Sequence, residues 1–196
     1  TNFAIVGGRK IGKTSILARV FQLLQDAPEY HPFYLDCQAI QSYEGFFEAV
    51  DTMWRVALPA RTPEGFRRMA TELPAQYPAR TIVMLFDEID GLLAQDIAQG
   101  EPLFRILRAL AHELPIRFVF CGEKVLNASL RDANLALFNF CNPMTLSYLT
   151  RDEARRVVVD PMQEMDIVLE EDGDLADQII TLAACHPNIV QYLCQK

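Results

Sequence analysis

The sequence predicts an α/β fold, a three-layer core with a parallel five-stranded sheet covered on both faces by helices, followed by a small helical lid. Short apolar runs at 3–6, 33–35, 81–86 and 116–121, with a weaker one around 144–146, alternate with longer amphipathic stretches. Strands buried on both faces read as continuous apolar runs, and parallel strands need long crossover connections. Helical periodicity at 13–25, 43–58, 62–76, 101–113 and 123–130 supplies at least one crossover helix between each successive pair of strands. Beyond residue 148 the pattern is helical only.

The lid is expected to open at Thr150, which with Glu153 has the spacing of a capping box. Helices at 172–184 and 187–195 continue it, the second with Pro187 at its first position after the stop at 183–186. The division is therefore a core at 1–148 and a lid at 149–196. Thr1 runs directly into the first strand without a Met, which reads as a piece of a longer chain with flanking domains.

A chain of 196 residues that is 51% hydrophobic can bury a core. Its five cysteines form no CxxC pair and are expected as buried, reduced thiols. No apolar stretch is long enough to span a membrane and no signal-peptide pattern is present, so the expected location is cytoplasmic. The net charge of -8 argues against a broad surface for nucleic-acid phosphates, and nucleic acid is not expected as a partner of this domain alone.

The first strand leads into Gly7, Gly8, Arg9, Lys10, Ile11, Gly12, Lys13 and Thr14, a complete GxxxxGK[ST] pattern that opens a helix continuing through Ser15. Glycines there let backbone N–H groups turn inward around phosphates, and the helix directs its positive end at them. Lys13 is expected on the β and γ phosphates, and the Thr14 hydroxyl on magnesium. Arg9 and Lys10 lie in the variable part of the loop, either as solvated charges or as phosphate or partner contacts.

The third strand runs into Asp87-Glu88-Ile89-Asp90, which places two acids at the carboxyl end of a buried strand, where open α/β sheets bind ligands. Asp87 is expected to hold magnesium opposite Thr14, and Glu88 to polarise the attacking water as general base. Asp90 is either a solvent-facing helix cap or an active-site contact.

Carrying these two motifs, the sequence resembles the additional-strand P-loop ATPases, and within them the STAND and Orc/Cdc6-like branch of the AAA+ proteins. Residues 4–17, 85–93, 118–122, 149–155 and 186–194 carry the resemblance. It implies sheet order 5-1-4-3-2, a helical lid, and further domains such as a winged helix. It also implies a polar γ-phosphate sensor near the end of the fourth strand, where this sequence has Cys121-Gly122-Glu123 and a plain strand end is expected. A Gly-x-Pro lid element whose proline meets the nucleotide is matched by Cys185-His186-Pro187, with the glycine replaced. Pro187 is thus either a nucleotide contact or a helix start. No second sensor arginine follows it. Arg131 stands about where oligomeric relatives supply an arginine to a neighbouring subunit.

The expected activity is Mg2+-dependent binding and hydrolysis of ATP, with ATP and ADP setting the two states of a STAND-type regulatory switch that forms a homo-oligomer on activation. The alternatives are an oligomeric DNA-associated ATPase of the Orc/Cdc6 kind, or a nucleotide-binding module without hydrolysis. The Asn-Lys-x-Asp pattern that reads guanine is absent, which favours ATP over GTP.

Overall fold

The computed structural model describes residues 1–165 and 174–195. It divides into two compact units, Thr1–Val6 with Lys13–Thr145, and Gly7–Gly12 with Leu146–Lys196.

The first unit holds the sheet. Its strands are β1 (Phe3–Val6), β2 (Tyr30–Asp36), β3 (Thr81–Asp87), β4 (Ile116–Gly122) and β5 (Asn142–Thr145). All pair in parallel, in the order β2-β3-β4-β1-β5, which is the implied 5-1-4-3-2 read from the other edge. The register aligns Leu35, Phe86, Phe120, Ala4 and Pro143 in one row across the sheet. One residue further along stand Asp36, Asp87 and Cys121, so the chemistry-bearing side chains of three strands emerge together at the carboxyl edge. The two edge strands carry Pro32 and Pro143, a residue that cannot donate to a ladder and is tolerated only at a border.

Both faces of the sheet are covered by α1 (Lys13–Asp26), α2 (Tyr43–Trp54), α3 (Pro63–Gln76), α4 (Asp90–Ala98), α5 (Pro102–Glu113) and α6 (Lys124–Ser129). Phe46, Phe66, Phe86, Phe104, Phe118 and Phe120 are fully buried between the layers, each worth about 1.5–3 kcal/mol of transfer free energy. Strand β2 extends beyond the expected 33–35, and β5 lies two residues before its expected start. Helix α2 ends at Trp54 rather than near 58, because Arg55 turns left-handed (φ 53) and the Asp51 carboxylate takes the Leu58 N–H at 3.0 Å.

Helix α4 was not foreseen. It starts from Ile89, which offers no side-chain cap, so no start signal announces it. Its Asp96 is completely buried and caps the next helix, accepting from Leu103 N at 3.0 Å and Phe104 N at 2.9 Å on the first turn of α5. The Tyr43 hydroxyl donates to the same carboxylate, which ties α2 to the pair. Burial, then this bond to Asp96, raises the Tyr43 pKa above its ordinary value.

The second unit contains α7 (Arg151–Glu164), α8 (Asp174–Leu182) and α9 (Pro187–Cys194). The expected start of α8 at 172 lies outside the described residues. Ala154, Val158, Ile180, Ala183 and Val190 form a small core of this unit, and Arg151 and Arg155 both reach Asp177 at 3.3 Å. Thr150 and Glu153 form the expected capping box. In the same unit a Cβ added to Gly7 would meet Ile11 at 2.9 Å and Leu146 at 3.2 Å, so this position admits glycine only.

Replacing Asp96 by Ala strips three donors of a buried charged acceptor and should lower the unfolding free energy by about 3 kcal/mol in urea titrations, with Asp96→Asn losing about half of that. A loss below about 0.5 kcal/mol would show that the carboxylate does not link the helices.

Candidate active site

The site grows from the ends of β1, β3 and β4. After β1 the loop turns through Lys10 (φ 58) and Gly12 (φ 99), left-handed positions of which the second demands glycine. Arg9 and Lys10 are exposed. Lys13 is the first residue of α1 and is only 3% exposed, whereas Thr14 and Ser15 lie exposed on the same turn.

A buried ammonium requires partners. The Lys13 Nζ has Glu88 Oε1 at 3.4 Å and Glu123 Oε1 at 3.3 Å. Glu88 reaches it from a left-handed backbone (φ 49), a conformation that costs a non-glycine residue about 1–2 kcal/mol and concentrates at functional sites. The Glu88 N–H donates to Asp87 Oδ1 at 3.0 Å, so the two acids of the motif are locked in one turn.

Asp87 is buried and held by more than that turn. The Tyr34 hydroxyl, from β2, donates to its Oδ2 at 3.1 Å. The Cys121 thiol, from β4, lies beside it. Burial first, and the Asp87 charge second, push the Tyr34 and Cys121 pKa values above their ordinary range, which keeps both as proton donors. The Asp87 carboxylate is therefore fixed in place. A carboxylate is a hard oxygen ligand of the kind Mg2+ takes, alongside oxygens of water and phosphate. Among the described residues no group of three or more His, Cys, Asp or Glu could hold a metal without such help.

Asp90 caps a helix other than its own. Its carboxylate accepts from Glu123 N at 2.5 Å and Val125 N at 2.6 Å, and so caps α6 from the start of α4. Gly122 has no room for a Cβ, which would strike Asp90 Oδ2 and come within 3.1 Å of Leu126. The end of β4 is thus built to deliver the Glu123 side chain to Lys13. Arg131 is exposed just past α6. In the second unit Pro187 opens α9, and Cys185 two residues before it has a left-handed backbone (φ 58).

Sequence reasoning did not find the roles of Tyr34, Glu123 or Asp90. Tyr34 was visible only as a hydroxyl inside an apolar run, and its partner follows from the sheet order.

A family model described as "AAA domain" matches residues 1–130. The chain belongs to that family. No curated protein sequence matches it. Among solved structures it is similar to the Aeropyrum pernix ORC1 protein in complex with DNA, at 16% identity and TM-score 0.69, covering 99% of this chain and 53% of that one. It is also similar to Drosophila ORC bound to DNA, at 12% identity and TM-score 0.71, with 99% and 53% covered. AMPPCP-bound DnaA from Aquifex aeolicus gives 15% identity and TM-score 0.64, with 97% and 53% covered. The AAA chain thus spans about half the length of these proteins and shares their fold. Among its described residues no helix is long and apolar enough to cross a membrane.

Buried Cys37, Cys121 and Cys141 all have raised pKa values, Cys141 up to about 12, while Cys185 and Cys194 are partly exposed. With a disulfide reagent at pH about 8, Cys185 and Cys194 should react and the other three should wait for denaturant. Folded pKa values above the ordinary 9.0 mean that these thiols leave stability unchanged below pH 9 and lower it as pH rises above, because only the unfolded chain then ionises. A fast third thiol, or a stability that does not fall above pH 9, would contradict the burial described.

Proposed function

We propose that this chain binds Mg-ATP and hydrolyses it. The observation that carries the reading is the buried Lys13, opening a helix after a complete phosphate-loop sequence and meeting Glu88 at 3.4 Å beside the anchored Asp87. Backbone N–H groups of the 7–12 loop would cradle the phosphates, with Lys13 on the β and γ phosphates. Thr14 and Asp87 would hold Mg2+, whose role when bound is to neutralise charge on the phosphates. Glu88 would orient the attacking water and accept its proton. Pro187 is proposed as a nucleotide contact on the resemblance of Cys185-His186-Pro187 to the Gly-x-Pro element alone.

The wider role we propose is a DNA-associated ATPase of the Orc/Cdc6 kind. The DNA named for the ORC1 and ORC structures and the AMPPCP named for DnaA support it. A STAND-type signalling switch has no such support, nor has the expectation that nucleic acid is not a partner of this domain alone. With a net charge of -8, contact with DNA would use local basic clusters rather than a broad positive face. Exposed Arg131 is proposed to reach a neighbouring copy in an oligomer.

Calorimetry and single-turnover hydrolysis on three variants test the site. Lys13→Ala should abolish binding of Mg-ATP in a folded protein. Glu88→Gln should bind as the parent does and turn over about a hundredfold more slowly, the usual scale of general-base assistance. Asp87→Asn should lose affinity in magnesium and lose little more when the metal is chelated. Parental turnover in Glu88→Gln would remove it as the base, and unchanged affinity in Lys13→Ala would remove the phosphate-loop assignment.

A further inference from the structure

We propose that Glu123 is a specificity residue that sets this site against the triphosphate: its carboxylate competes with the terminal phosphate of ATP for Lys13. The inference rests on the nucleotide reading above and deepens it.

The placement of Glu123 is fixed by the chain around it. Its N–H is held by Asp90 Oδ2 at 2.5 Å, and Gly122 before it tolerates no side chain. The side chain is 23% exposed and its Oε1 lies 3.3 Å from the Lys13 ammonium, as close as the Glu88 carboxylate at 3.4 Å. Lys13 is thereby shared by two acids, and with Asp87 the cluster carries three carboxylates against one ammonium. A phosphate-loop lysine donates to the β and γ phosphates. The γ-phosphate brings one more negative charge than ADP carries, and it must take from Glu123 a lysine that is itself only 3% exposed. In the proposed function Glu88 would orient the attacking water and accept its proton, whereas the charge of Glu123 would act on the occupant of the lysine.

Glu123→Gln retains an acceptor for Lys13 and leaves the Glu88 pair intact, so the ammonium is not orphaned. Close charge pairs across an interface couple strongly enough that neutralising one should tighten Mg-ATP by about tenfold or more, or about 1.4 kcal/mol. Mg-ADP should tighten by less than about threefold. Glu123→Asp keeps the charge and should stay within about threefold of the parental ATP-to-ADP ratio. Glu113→Gln, in an exposed pair with Arg67, changes the net charge equally and should leave the ratio unaltered.

Calorimetric Kd values for Mg-ATP and Mg-ADP on the four proteins, with thermal unfolding to verify folding, decide the matter. An unchanged ratio in Glu123→Gln, an equal rise in Glu123→Asp, or weaker ATP binding would overturn the proposal while the nucleotide reading stands. Failure of the parent to bind either nucleotide at about 1 mM would sink the nucleotide reading, and this inference with it.

Discussion

Burying one ammonium organises this molecule. Lys13 is almost fully withdrawn from water, and an uncompensated charge in that position would cost several kcal/mol. The chain meets the cost with carboxylates from two different strand ends, Glu88 after β3 and Glu123 after β4. That arrangement requires β1, β3 and β4 to end at one level, which the parallel register provides. It also requires two unusual backbone features, the left-handed Glu88 and the side-chain-free Gly122. The same charge would then be what a phosphate meets.

Helix α4 fixes the surrounding frame. At its start Asp90 caps α6, and near its end Asp96 caps α5 while receiving the Tyr43 hydroxyl of α2. A helix of nine residues has little stability alone, and here its worth lies in the carboxylates it presents to its neighbours. Because Asp90 also fixes the backbone of Glu123, the scaffold and the ion cluster meet in a single side chain.

What was legible in the sequence is what is local. The phosphate-loop pattern, the apolar run into Asp87-Glu88 and the Thr150–Glu153 box each occupy a few consecutive residues, and their types are dictated by backbone conformation or by burial. Asp90, Asp96 and Tyr34 resisted reading because their partners are chosen by tertiary structure. A carboxylate that caps a helix other than its own leaves no local spacing to recognise, and α4 itself opens on an isoleucine that bears no start signal. Even Glu123 was seen only as a departure from a family pattern, and its meaning came from the distance to Lys13.

In the function proposed here Lys13, though nearly inaccessible, is the cation that meets the phosphates. An acyl-phosphate derivative of ATP, which transfers its acyl group to an amine at the phosphate site, tests this directly when the labelled peptides are read by mass spectrometry. Lys13 should take the label in preference to the exposed Lys10 and Lys124, and excess Mg-ATP should block it. Labelling confined to Lys10 and Lys124, and indifferent to Mg-ATP, would contradict it.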